Sequence, residues 1–198
     1  MERKVVITGM GQERKDAGFR SALCADVERP DLKPFIPRNL RHFMPEEAQY
    51  AYMATRSALE NAKLDQDYMD RNEIGIIYGN DSVAEATMQA LDKFREFKDT
   101  SACGSGAIFQ SMNSTVTMNL ACLFKLRGIN LTASAACASG SQAIGLAYTL
   151  IRSGMQDCII CGGAQETNLY SVASFDGIQS FSIREDNPAK ASRPFDRD

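Results

Sequence analysis

The chain has 198 residues, 44% of them hydrophobic and 24% charged, with a net charge of −3. That length sustains one substantial core or two small ones, and the composition is that of an ordinary globular protein. The acidic balance speaks against a nucleic-acid binder, and no apolar run reaches the ~18 residues that a membrane span needs.

In chain order, Lys4 to Met10 (KVVITGM) is a short apolar run that predicts a buried strand. Met1-Glu2-Arg3-Lys4 thus leads into a strand rather than the core of a signal peptide, as expected of a cytoplasmic protein. Gly9 and Gly11 have too little glycine around them for a phosphate cradle and predict only a tight turn. Residues 17–45 carry Pro30, Pro34, Pro37 and Pro45, and the first three stand too close together for a long helix. This segment reads as loop with short extended pieces, and its His42, the chain's one histidine, as a surface or structural residue.

Glu47 to Leu64 places apolar residues at Ala48, Ala51, Tyr52, Ala58, Leu59 and Ala62, the spacing of a helical stripe. Pro45, Glu46 and Glu47 suit its first turn, where a fixed φ and negative charge are favourable. Glu73 or Ile74 to Tyr78 predicts a second buried strand ending at Gly79-Asn80, and Val83 to Phe97 an amphipathic helix. Ser101 to Gly106 reads as a turn, and Met112 to Leu126 as a largely apolar helix closed by Arg127-Gly128. Asp157 to Cys161 predicts a strand opening into Gly162-Gly163, Leu169 to Phe175 a short helix, and Asn187 to Asp198 an irregular end. Alternating strands and helices imply an α/β fold with a mostly parallel sheet.

The remaining stretch carries the chemistry. A strand-like run from Leu131 to Ala136 meets a helix-like run from Ser141 to Ser153, with Cys137 at the joint and only small residues around it. A tight strand-to-helix turn lifts a side chain clear of a sheet, and small neighbours let the turn close. The adjoining helix N-terminus stabilises a thiolate, lowering the pKa from ~8.5, and the thiolate is the nucleophilic form. The other reading of any cysteine is inert packing. Six cysteines without disulfide-framework spacing fit reduced thiols. Cys158-x-x-Cys161 has a redox or zinc spacing but falls in a strand pattern, where positions three apart face opposite ways, so it reads as core and no metal site is expected.

The run AACASGSQAIGLA at Ala135–Ala147 is followed by IRSGMQDCIICGGAQET and, at the end, KASRPFDRD. Together with KVVITGMG, EEAQYAYMATRSALENAKLD and GAIFQSMNSTVTMNLACLFKLRGINLT, in this order, they resemble the N-terminal half of a β-ketoacyl-acyl carrier protein synthase. This is the condensing branch of the thiolase superfamily, and the ASRPFD segment is similar to that of its elongating rather than its initiating members. The resemblance implies a thiolase-like layered fold, residues 1–198 being the first of two pseudo-duplicated halves, with a mostly parallel mixed sheet and helices on both faces. The chain departs from the family after Gly11, where a loop and helix are expected and Gln12-Glu13-Arg14-Lys15-Asp16 follows at once. Either the loop is truly deleted, or the residues joined here are not contiguous in the full protein; the abrupt passage favours the second.

By that resemblance, Cys137 accepts an acyl group from the phosphopantetheine of an acyl carrier protein. The acyl group then condenses with a carbanion made by decarboxylating malonyl-carrier protein, in fatty-acid or polyketide elongation. No cofactor is bound by the enzyme itself, the phosphopantetheine arriving on the carrier. The Cys137 N–H is the one oxyanion donor this half offers. The second donor, two histidines and a supporting lysine belong to the C-terminal half, so this chain alone is expected to stop at acylation or to be inactive. Ile108, Phe109 and Met112 fall where the family lines its acyl pocket near the dimer partner, or are plain core. Arg38, Arg41 and Lys98 fall loosely on the face that docks an acidic carrier protein, or are solvated surface charge. Arg193-Pro194-Phe195-Asp196 reads as an ordered loop with an Arg–Asp pair. A homodimer is the family default, with the strand before Cys137 near the subunit interface.

Two other classes stay open. A chain-length-factor-like scaffold subunit shares the fold without a working nucleophile. A cysteine hydrolase needs an acid and a histidine downstream, and no histidine follows Cys137.

Overall fold

A computed structural model describes residues 9–10, 18–21, 23–24 and 29–197. The chain divides into two compact units, Pro30–Thr167 and a second formed by Met1–Arg29 with Asn168–Asp198.

The unit Pro30–Thr167 is organised around β3 (Ile74–Gly79), which is buried at every position. Its Ile-Gly-Ile-Ile-Tyr-Gly run is rich in β-branched and aromatic residues, and a continuous apolar run is what a parallel strand covered on both faces requires. β4 (Asn130–Ala133) and β5 (Cys158–Gly163) flank it, both parallel, in the order β4-β3-β5. Ile76 pairs with Asn130 on one side and Ile160 on the other.

Side-chain alternation then decides what each face receives. Ile74, Ile76 and Tyr78 pack with Ala48, Ala51, Tyr52 and Leu59 of α2 (Glu46–Ala62), and with Val116 and Leu120 of a second helix. Ile77 points the other way, against Ala143 and Ala147. Tyr78 Oη and Thr55 Oγ1 share a buried hydrogen bond of 2.8 Å, and burial raises the Tyr78 phenol pKa. Cys158 packs against the first cluster and Cys161 against the second, so the two sulfurs face opposite sides of the sheet, as the strand period predicts.

The elements that complete this unit are a single turn α1 (Arg38–Arg41), α3 (Gln66–Arg71), α4 (Glu85–Phe97), a 3₁₀ turn at Thr100–Cys103 and the short α5 (Ala107–Gln110). α6 (Thr115–Leu123) and α7 (Ser139–Arg152) follow. Several bounds differ from the sequence reading. Within α2 the buried stripe runs Ala48, Ala51, Tyr52, Thr55 and Leu59, leaving Ala58 and Ala62 exposed. α6 starts at Thr115 rather than Met112, because Ser111, Asn113 and Ser114 favour turns over helix interiors. It ends before Arg127-Gly128, as Lys125 takes a left-handed conformation at φ 54°. The predicted turn at Ser101–Gly106 is in part the 3₁₀ turn, and its N-cap Asp99 accepts the Ser101 N–H at 2.9 Å.

Glu47 departs furthest from expectation. Its place in the first turn of α2 predicts a solvated charge facing the helix dipole, but the residue is 1% exposed and its Oε1 has no hydrogen-bond partner among the described residues. Burial pushes its carboxyl up to about 7, and the neighbouring charges of Glu166, Glu46 and Glu85 add to the rise.

In the terminal unit, β1 (Gly9–Met10) pairs antiparallel with β2 (Leu23–Cys24). Gly9 therefore lies within a strand rather than a tight turn; the rest of the Lys4–Met10 run, and Gly11, lie outside the described residues. α8 (Leu169–Gly177) supplies Asp176, whose carboxylate accepts the backbone N–H groups of Arg20 and Ser21 at 2.8 and 3.1 Å. Near the end a 3₁₀ turn at Pro188–Lys190 precedes the Arg193–Asp196 pair, formed at 2.6 Å from Nε.

Candidate active site

β4 and β5 lie on opposite sides of β3, so the helix that joins them, α7, must cross over β3. Its first residues sit directly on the C-terminal end of that strand. A Cβ added to Gly79 would lie 2.3 Å from the Ser139 carbonyl carbon and 2.4 Å from the Gly140 nitrogen, both main-chain atoms. Only a glycine lets the helix start this close. The C-terminal ends of parallel strands, where connections depart to opposite faces, are where α/β sheets place their sites.

The chain leaves β4 at Ser134 and reaches α7 through Ala135, Ala136, Cys137 and Ala138. Ala136 holds φ at +49°, the left-handed region that residues with a side chain seldom adopt. The turn is closed from within by Ser139. Its Oγ accepts the Ala135 N–H at 2.8 Å and donates to the Ala136 carbonyl at 2.7 Å. It is held from outside by Asp81, whose Oδ1 accepts the Ala136 N–H at 3.0 Å and the Ser134 hydroxyl at 3.3 Å.

This strained turn presents Cys137 to solvent as a free thiol. Two residues later α7 begins, a helix of 14 residues, so the sulfur lies beside the positive end of its dipole. Among the described residues, no hydrogen bond takes up the Cys137 N–H. By contrast, Cys158 and Cys161 are half-buried, and burial raises both of those thiols. An exposed cysteine on a strained strand-turn-helix joint has the form of a nucleophile elbow.

The chain as a whole is similar to known proteins. Residues 20–198 match the family model of the β-ketoacyl synthase N-terminal domain. The chain belongs to the β-ketoacyl synthase family. It is 35% identical over 163 residues to 3-oxoacyl-[acyl-carrier-protein] synthase 1 of Haemophilus influenzae, covering 81% of this chain and 40% of that protein. A crystal structure of a β-ketoacyl synthase from Burkholderia phymatum superposes with a TM-score of 0.83 at 29% identity, covering 96% of this chain and 47% of the other. A type II polyketide ketosynthase in complex with its acyl-carrier protein and bound to a hexaketide shares the fold, with a TM-score of 0.70 at 22% identity over 79% of this chain and 46% of that one. The chain spans about half or less of the length of these relatives.

The remaining residues expected of a β-ketoacyl synthase can now be placed. Phe109 stands on α5 with its ring edge-on to Phe43 at 5.2 Å, and lines an apolar cleft of about 260 Å³ with Leu40, Phe43, Met118, Cys122 and Leu123. Ile108 and Met112 are not part of that lining, and Ile108 is 63% exposed. Arg38 and Arg41 share the single turn of α1; Arg38 is exposed, whereas Arg41 is half-buried, with its Nε lacking a partner among the described residues. Lys98 is exposed and caps the C-terminal end of α4 at φ 54°. His42 follows α1 on the surface, its Nε2 3.2 Å from Ser105 Oγ.

Sequence reasoning puts Cys137 at a strand-to-helix joint, which is where the structure has it, but does not reveal what holds the turn. Asp81 and Gly79 lie more than fifty residues before the turn. Gly79-Asn80 was legible as a strand end, but no local pattern marks Asp81 as a partner of Ala136.

Proposed function

We propose that this chain carries the acyl-accepting half of an elongating β-ketoacyl synthase acting in fatty-acid or polyketide synthesis. The observation that carries the reading is the exposed Cys137 thiol on the strained turn between β4 and α7. The thiolate attacks the carbonyl carbon of an acyl thioester on the phosphopantetheine of an acyl carrier protein. The negative charge that develops on the carbonyl oxygen is met by the free Cys137 N–H. Collapse of that intermediate breaks the carrier's C–S bond, leaving an acyl-cysteine and a carrier thiol. In the second half-reaction a malonyl-carrier loses carbon dioxide, its carbanion forms a C–C bond to the acyl carbon, and the bond to Cys137 breaks. The groups that promote decarboxylation are expected in the second pseudo-duplicated half of the whole protein.

Exposed apolar faces support further layers against this unit. Ile144, Tyr148 and Ile151 of α7 are 56%, 63% and 42% exposed at helical spacing, continued by Met155 at 66%. This stripe is assigned to packing against the second half. Among the described residues β4 is an edge strand with Leu131 exposed, and it is assigned to a homodimer interface beside which Ile108, Phe109 and Met112 line the acyl pocket. Arg38, Arg41 and Lys98 are assigned to docking the acidic carrier. Among the described residues no helix is long and apolar enough to cross a membrane, and the place of action is taken as the cytoplasm. No cofactor beyond the carrier's own phosphopantetheine enters the scheme.

The test is to incubate the purified protein with an acyl thioester of acyl carrier protein and to read the Cys137 peptide by mass spectrometry. An acyl adduct on Cys137 that approaches one per chain and is absent from Cys137→Ala is expected. Folded protein that acquires no adduct overturns the acyl-transfer reading and favours the chain-length-factor-like scaffold.

A further inference from the structure

We infer that Asp81 is the positioning residue that holds the Cys137 turn in its reactive shape, a role that deepens and rests on the acyl-transfer reading above. A non-glycine residue at positive φ persists only where its surroundings over-determine it. At Ala136 the determining contacts are few and can be counted. Four run within the turn itself and move with it: Ser139 Oγ to the Ala135 N–H and the Ala136 carbonyl, the Ser139 N–H to the Ala136 carbonyl, and the Ala138 N–H to the Ala135 carbonyl. The other two run to a single oxygen of Asp81, 53 and 55 residues away in sequence. Asp81 is therefore the tie from the turn to the sheet.

Asp81 is itself well braced. It lies two residues after β3, whose side chains are all buried. The preceding residue, Asn80, donates its N–H to the Ala133 carbonyl at 3.1 Å and its side-chain amide to the Asn113 carbonyl at 3.0 Å. The Asn113 side chain donates in turn to the Asp81 carbonyl at 3.3 Å. The carboxylate thus projects from a fixed point to the one residue of the turn with left-handed backbone.

The chemical consequence follows from which N–H groups are used. A carboxylate accepts more strongly than a neutral oxygen. By taking the Ala136 N–H, Asp81 fixes the Ala135–Ala136 peptide plane from which the left-handed turn at Ala136 starts, and leaves the next N–H, that of Cys137, free for the developing oxyanion. Without the carboxylate, Ala136 can relax to negative φ. The peptide then rotates, the sulfur leaves its raised position and the free N–H is no longer aimed with it. A misplacement of about 1 Å costs an enzyme about a hundredfold in rate.

The experiment compares wild type with Asp81→Ala and Asp81→Asn, which keeps an acceptor oxygen without the charge. Each is treated with iodoacetamide, and alkylation of Cys137 is read against Cys122, an exposed cysteine on the same chain that serves as internal standard. Each is also treated with acyl-carrier protein thioester, with melting temperatures recorded alongside. For Asp81→Ala we expect the Cys137 to Cys122 alkylation ratio to fall and acylation per folded chain to drop by about tenfold or more, with Asp81→Asn restoring both to near wild type. A purely stabilising Asp81 lowers the melting temperature without moving the ratio, and that result overturns the inference. An alkylation ratio that rises overturns it as well. If the wild type is never acylated, the acyl-transfer reading fails by itself; the alkylation ratio then decides the positioning role, an unchanged or raised value ending it and a fall that Asp81→Asn restores upholding it.

Discussion

Gly79→Ala is expected to destabilise the protein by about 3 kcal/mol or more and to abolish the acylation of Cys137. The added methyl would lie 2.3 Å from the Ser139 carbonyl carbon, 2.4 Å from the Gly140 nitrogen and 2.5 Å from the Ser139 oxygen. These are main-chain atoms of the first turn of α7, so no rotamer change relieves the overlap; the helix start must lift from β3. Such a shift breaks the bonds that Ser139 makes to Ala135 and Ala136, the internal closure of the Cys137 turn. Overpacking a close-packed interior ordinarily costs 1–3 kcal/mol, and a main-chain overlap belongs at the upper end. In a chain of this length that lowers the melting temperature by about 6–12 °C. Differential scanning calorimetry with the acylation assay checks it. Wild-type stability with retained acylation would show that α7 does not rest on Gly79 as described.

Glu47→Gln is expected to stabilise the protein, and only above mildly acidic pH. The Glu47 carboxyl is displaced from 4.5 to about 7 by burial, with the charges of Glu166 and Glu46 contributing and that of Glu85 completing the set. The folded state therefore favours the neutral acid. Its contribution is fully present below pH 4.5, is lost as the pH rises from 4.5 to about 7, and above that the buried charge costs about 3 kcal/mol relative to an ordinary glutamate. Glutamine is neutral throughout. The difference in unfolding free energy between variant and wild type should be near zero at about pH 4.5 and grow towards ~3 kcal/mol by pH 8. Denaturant titrations at several pH values measure it. A difference independent of pH would mean that Glu47 is solvated in the folded protein.

Glu166 shows why Glu47 is left with acids for neighbours. Its carboxylate is committed to the N-terminus of α4, accepting the N–H groups of Ala84 and Glu85 at 2.8 and 3.2 Å. Glu46 is likewise engaged by Thr167, whose N–H and hydroxyl reach it at 3.4 and 3.5 Å. Both anions therefore have local reasons to be where they are, and Glu47 alone in that group has an unpartnered buried oxygen.

Local chemistry alone was enough for much of this protein. The unbroken apolar run of β3 announced a strand covered on both faces, and the small residues around Cys137 announced a tight strand-to-helix joint; both are properties of neighbours in sequence. The two faces of Cys158-x-x-Cys161 followed from the strand period alone. Helix ends were less legible, since the start of α6 depends on whether Ser111 to Ser114 keep to turns, a competition settled by packing. Three features depended wholly on tertiary structure: the tie from Asp81 to Ala136, the seat of α7 on Gly79, and the burial of Glu47. Each joins residues whose sequence surroundings predict something else, a loop acid, a strand-end glycine and a solvated helix-start charge. They are decided by the crossing of α7 over β3 and the packing of α2 beneath it, because contact between distant segments is set by where the sheet places its connections and not by the residues on either side.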